Sequence, residues 1–103
     1  MKKIIWLGNS HGDLLAFPED ARKIAGYNLD KVQRGEEPTD WKPMPSIGMG
    51  VKEIRIHCAN EYRVIYLAQR DEGVYVLHSF VKKTQKTSIR DLELAKKRFS
   101  QIK

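Results

Sequence analysis

Between Val51 and Thr87 the sequence writes three strands in succession, and that stretch limits the fold more than any other part of the chain. In VKEIRIHCA, Ile54, Ile56 and Cys58 share one parity while Glu53, Arg55 and His57 share the other, the alternation of a strand with one buried and one charged face. EYRVIYLA is apolar on both parities apart from Arg63. VYVLHSFV, which follows the turn residues Arg70, Asp71, Glu72 and Gly73, reads the same way, so both are expected as central strands. Short connections make the three an antiparallel meander. Three strands cannot bury two faces by themselves, so flanking helices are expected to cover the face bearing Ile54 and Ile56. The other face is left to Arg55 and Arg63, with His78 a further candidate. The segment KKTQKT then sets Lys82, Lys83, Thr84 and Lys86 at the sheet edge beside them.

Upstream, Lys3 to Leu7 reads as a first strand, closed by Gly8, that joins the meander. Ser10 and Asp13 have the capping-box spacing for a short helix carrying Leu14, Leu15 and Phe17. Pro18 stops that helix and opens a second one, with Glu19 and Asp20 in its first turn, an apolar face of Ala21, Ile24, Ala25, Leu29 and Val32, and Gly35 at its end. Pro38, Pro43, Pro45, Gly48 and Gly50 make residues 36–50 a loop, in which Trp41 and Met44 serve as anchors to the core or, alternatively, as a base-stacking platform. Ser88 and Asp91 repeat the capping-box spacing, and Ile89, Leu92, Ala95, Phe99 and Ile102 form the stripe of a final helix whose outer face carries Lys96 and Lys97. The expected fold class is α+β: an N-terminal strand, two helices, an antiparallel three-strand meander and a C-terminal helix, all in one domain over residues 1–103.

That length suits one domain and not two. With 19 Lys and Arg against 13 Asp and Glu the net charge is +6, which favours an anionic partner, nucleic acid first, although surplus lysine also serves solubility alone. No apolar stretch is long enough to span a membrane, and Gly8 to His11 cut the opening apolar run too short for a signal peptide. The one cysteine, Cys58, is expected to be buried and fits a reducing cytoplasm. His11 is expected to face solvent, His57 to be exposed beside Arg55, and His78, on the parity of Val76 and Phe80, to be a hydrogen-bonded core histidine. Neither a metal-ligand spacing nor a phosphate-cradling glycine loop is present, so no metal and no cofactor are expected.

Glu-Ile-Arg-Ile at 53–56, Tyr-Arg-Val-Ile-Tyr at 62–66 and V-x-V-L-H-x-F-x-K-K-T-Q-K-T at 74–87, together with GYNLDKVQRG at 26–35 and WKPMPSIG at 41–48, give the chain a resemblance to the RelE/HigB superfamily of toxins from type II toxin–antitoxin modules, and within it to the phage-related HigB-like branch. The resemblance implies a RelE-like fold and a small bacterial endoribonuclease that acts in the cytoplasm on mRNA in the ribosomal A site. It also implies a cognate antitoxin, often a helix-turn-helix protein, that holds the toxin inactive in a hetero-oligomer. Arg63 matches the family's phosphate-contacting arginine, Arg55 falls near a basic strand position, and Lys82 and Lys83 occupy the region where the family places a basic residue after the last strand. Some members use a tyrosine or histidine in the last helix. Here that helix offers Phe99, so the general base is left unassigned.

Cutting RNA without a metal requires a base for the 2′-OH proton, a cation for the pentacovalent phosphate and an acid for the leaving 5′-oxygen. A cluster of cations meets the second requirement and, by repulsion, lowers the proton affinity of a neighbouring lysine. Arg55 and Arg63 are therefore expected to hold the scissile phosphate, with Lys83 or Lys86 moving protons. His57, Lys82, Thr84, Lys96 and Lys97 are expected to bind RNA. The alternative is a non-catalytic basic module that attaches to RNA or to an acidic protein.

Overall fold

The computed structural model describes residues 1–102. In chain order the elements are β1 (Ile4–Trp6), α1 (Ser10–Leu15), α2 (Glu19–Gln33), β2 (Trp41–Pro43), β3 (Val51–Cys58), β4 (Asn60–Arg70), β5 (Gly73–Lys82) and α3 (Ile89–Phe99). The strands form one sheet in the order β1-β5-β4-β3-β2. Its centre is the expected antiparallel meander; β1 joins β5 in parallel, Ile4 opposite Val74. The α+β class and the order of helices are as the sequence indicated. One strand is added, because residues 36–50 are not all loop: Trp41 pairs with Ile54 and Lys42 with Glu53 at the sheet edge. An edge strand tolerates Pro43, whose missing N–H would disrupt a central one, and the flanking prolines hold β2 to three residues.

The first face packs as its alternation requires. Ile54, Ile56, Tyr62, Val64, Tyr66, Val74 and Val76 meet Leu14 and Phe17 from α1 and its exit, and Ala21, Ala25, Leu29 and Val32 from α2. Ile24, expected in that stripe, is instead 37% exposed. The interior position goes to Asn28, whose Nδ2 donates to the Ile24 carbonyl at 3.0 Å and whose Oδ1 accepts from the Thr39 amide at 2.8 Å, tying the approach to β2 onto α2. Ser10 is also not the cap of α1. Asn9 stands at the cap and its Nδ2 donates to Asp13 at 2.9 Å, while the buried Ser10 hydroxyl donates to the Val76 carbonyl at 3.0 Å, where a donor inside the core needs an acceptor.

The second face is not left free along its whole length. Leu92, Ala95, Phe99 and Ile102 of α3 and its C-terminal extension, with Met44 and Ile47 from the segment after β2, cover Val51, Ile65, Leu67, Leu77 and Phe80. Met44 is thus the anchor expected of it. The Ser88 hydroxyl caps α3, accepting from the Asp91 amide at 3.1 Å, as the capping box foretold. Asp91 then reaches His78 Nε2 at 2.7 Å, and Arg98 donates to the Leu77 carbonyl at 2.9 Å, so both ends of α3 are pinned to β5. A bulge separates the pairs Ile65–His78 and Tyr66–Val76. It breaks the parity that grouped His78 with Val76: Val76 enters the α1–α2 core, while His78 stacks on Phe80 with ring centroids 4.8 Å apart on the α3 side. His78 is buried and hydrogen-bonded, as expected. Among the described residues no helix is long and apolar enough to cross a membrane.

Candidate functional site

Strand register sets the side chains of the α3-side face in rows. Lys42, Glu53, Ile65 and His78 make one row across β2, β3, β4 and β5; Arg55, Arg63 and Phe80 make the next; His57, Glu61 and Lys82 make the third. The apolar cover under α3 ends at Ile65 and Phe80, and the charged residues lie past it. Arg55 and Arg63 are direct cross-strand partners and so occupy the same face, an arrangement fixed by the short Cys58–Asn60 turn, where Ala59 takes a positive φ of 64°.

Arg63 is only 2% exposed. Its Nε lies 3.5 Å from Glu53, one terminal nitrogen lies 3.0 Å from Glu61, and the other donates to the Tyr62 carbonyl at 2.9 Å. Glu53 is 0% exposed, and neither carboxylate oxygen has a hydrogen-bond partner among the described residues. Burial pushes its carboxyl above the usual range, opposed in turn by the charges of Lys42, Arg63, Lys82 and Arg55. A buried carboxylate ringed by four cations is thus the centre of the site. Lys82 is affected from the other side: burial first, then the charges of Arg63 and Lys42, hold its ammonium below the ordinary lysine value, and Glu53 only partly offsets them. A lysine so placed offers a larger neutral fraction near neutral pH than an isolated one does.

His57 occupies the open end. Its Nδ1 lies 2.7 Å from Glu61 and its Nε2 2.6 Å from Asp40, so both ring nitrogens face carboxylates. That arrangement favours the imidazolium: Glu61 and then Asp40 raise the histidine's pKa, while His57 and then Arg63 lower that of Glu61. Asp40, His57, Glu61, Arg63 and Glu53 form one continuous chain of alternating charge.

The structure brings Arg55, Arg63, His57 and Lys82 together. Lys83, Thr84 and Lys86 lie beyond β5 on an exposed segment, where the Thr84 hydroxyl donates to the Lys86 carbonyl. Lys96 and Lys97 are exposed on α3. Two members of the cluster escaped the sequence reading. Lys42 is hidden among prolines that argue against a strand, although its place two residues before Met44 puts it beside a residue recognisable as an anchor. Glu53 shares the parity of Arg55 and therefore reads as part of a charged outer face; nothing in the strand pattern marks it as buried. Among the described residues no group of three or more His, Cys, Asp and Glu side chains is arranged to hold a metal ion.

No curated protein matches the chain. The family model described as Phage derived protein Gp49-like (DUF891) matches residues 12–100. The matched stretch takes in α2 through α3 and with them every charged residue of the cluster. The chain therefore belongs to the phage-derived Gp49-like family, a RelE/HigB-type toxin family associated with toxin–antitoxin modules.

Proposed function

We propose that this Gp49-like toxin, of the phage-related HigB-like branch, is a metal-independent endoribonuclease that cuts mRNA on the ribosome in the cytoplasm. A cognate helix-turn-helix antitoxin neutralises it within a hetero-oligomer. The observation that carries the reading is the set of Lys42, Arg55, Arg63 and Lys82 around buried Glu53 at the open end of the sheet. Lys82, as a neutral amine, takes the proton of the 2′-OH, and the resulting oxyanion attacks the adjacent phosphorus. Arg55 and Lys42 meet the phosphate, and Arg63 joins them when RNA displaces the exposed Glu61 carboxylate from its fork. Lys83 or Lys86, just past Lys82, supplies the proton to the departing 5′-oxygen. The products are a 2′,3′-cyclic phosphate and a free 5′-hydroxyl.

One observation favours the second reading, a basic module that docks without cutting: Arg63 is almost fully buried and already paired. Single-turnover assays with mRNA on ribosomes and with the same RNA free separate the two. The nuclease reading expects cyclic-phosphate ends from the parent protein, and a rate about 100-fold lower in Arg63→Lys at little change in affinity, since lysine replaces a two-point grip with a point charge. Co-expression of the neighbouring antitoxin frame should abolish the cleavage. A parent protein that binds RNA and leaves it intact in both forms establishes the docking module.

A further inference from the structure

Glu53 has no task in that reaction, yet it is the most completely buried charged side chain of the face. RNA cannot touch it. A carboxylate with neither oxygen hydrogen-bonded is an unfavourable thing to place in a core, and its same-face neighbours, Val51 on β3 and Ile65 opposite it on β4, show that apolar side chains pack there. Glu53 touches one cation, Arg63 on β4, with Nε at 3.5 Å, and lies in the field of three more: Lys42, its cross-strand partner on β2, Arg55 on its own strand and Lys82 on β5. We propose that Glu53 is a positioning residue: its buried carboxylate is the fixed counter-charge around which Arg63, Lys42 and Lys82 are arranged.

Two consequences follow from Coulomb's law in a poorly solvated site. Without Glu53, Arg63 keeps the Tyr62 carbonyl but loses its interior counter-charge, and its fork is freed to turn toward Glu61 and solvent, away from the aim that Nε now fixes. Lys82, facing Arg63, Lys42 and Arg55 with no buried negative charge between them, loses its proton at lower pH. Glu61 cannot substitute. It is the cross-strand neighbour of Lys82, but it is half exposed, shared with His57, and the group that RNA must push aside. Asp91, the acid that α3 contributes to this face, is occupied by His78 on the far side of Ile65.

The effect on cleavage rests on the proposed nuclease activity, but the coupling of Glu53 to Lys82 does not, and the experiment measures them apart. In the full-length protein carrying 13C-dimethylated lysines, the Lys82 resonance is identified by its loss in Lys82→Arg and titrated by NMR. Glu53→Gln should lower the Lys82 midpoint by on the order of one pH unit. An unmoved midpoint in the folded variant overturns the proposal, whether or not the parent cuts RNA. Should Glu53→Gln not fold, the coupling is read from the other partner, because linkage is reciprocal. Lys82→Met must then raise the midpoint of the 13C-labelled Glu53 carboxyl by a similar amount, and no change there is equally fatal. In a cleaving protein, Glu53→Gln should move the rising limb of the pH–rate profile to lower pH and reduce the plateau rate with KM unchanged. A lower plateau with an unmoved limb is what a merely structural glutamate gives, and it overturns the assignment.

Discussion

Replacing Arg63 with methionine removes a cation from the site and also strands the charge beneath it. Glu53, fully buried and without a hydrogen bond, would lose its nearest counter-charge at 3.5 Å, the situation in which breaking one half of a buried ion pair costs about 3–5 kcal/mol. A small domain has only about 5–15 kcal/mol in total. Loss of toxicity in that variant would consequently report unfolding as readily as chemistry. The double variant Arg63→Met with Glu53→Leu separates them, since removing both charges together and filling the space with apolar groups is expected to return stability to within about 1–2 kcal/mol of the parent. Urea unfolding at constant m reads both differences as shifts of the midpoint. The expected pattern is a large loss in the single variant, recovery of stability in the double, and no recovery of cleavage. A single variant that loses less than about 1 kcal/mol would show that Lys42 and Lys82 suffice to hold Glu53. A double variant as unstable as the single would show that packing of the arginine stem, and not the stranded carboxylate, was the cause.

The remaining expectations concern the frame that holds the site. The Tyr66 hydroxyl is buried with no partner among the described residues, so Tyr66→Phe should raise stability by about 1 kcal/mol in urea; a loss of stability would mean the hydroxyl is satisfied. Ser88→Ala removes the cap of α3 and should cost about 1 kcal/mol by the same assay, with no change counting against the capping assignment. His57 has its pKa raised above 6.5 by its carboxylates, so its contribution to stability is complete below 6.5 and is lost as pH climbs through the folded value. Glu61, lowered from 4.5, contributes fully above 4.5 and loses its contribution as pH falls through its folded value. Thermal melts across pH should therefore show the parent's advantage over His57→Gln greatest between 4.5 and 6.5, and an advantage that grows above 6.5 would contradict the pairing of His57 with Glu61 and Asp40. At Gly48 the Phe99 ring lies where a Cβ would stand, so Gly48→Ala should destabilise the protein and Phe99→Leu should relieve the effect; additive losses would deny the contact.

The sheet was readable because β3 alternates. Ile54 and Ile56 on one parity identified the face that α1 and α2 cover, and the same count put Arg55 and Arg63 together on the other. The cover over that second face was not readable. The stripe of Ile89, Leu92, Ala95, Phe99 and Ile102 says that α3 has an apolar side, but not which surface will receive it, since that is decided by contacts distant in sequence, and Ile89 at its start is left 74% exposed. His78 was misgrouped with Val76 because a bulge belongs to a pair of strands and leaves no mark in either one alone. Glu53 and Lys42 were missed for a related reason. A strand's alternation tells which residues share a side, whereas burial of a charged one depends on what the neighbouring strands and α3 bring to that side.

β1 lies at one edge of the sheet against β5, so Ile4 to Trp6 wait for Val74 to Val76 before they find their backbone partners, and the Arg98 side chain of α3 lies directly against Gly8. Such a pairing joins residues far apart in sequence, so closing it costs more chain entropy than closing either hairpin of the meander. During synthesis the first strand must remain unpaired until β5 has emerged, and the α3 contacts that further hold β5, from Asp91 and Arg98, come later still. Lys82, at the end of β5, is the last residue of the charged cluster to be made. A polypeptide that stops short of β5 therefore carries Lys42, Arg55 and Arg63 without Lys82, and the constellation comes into being only when β5 has paired with β4.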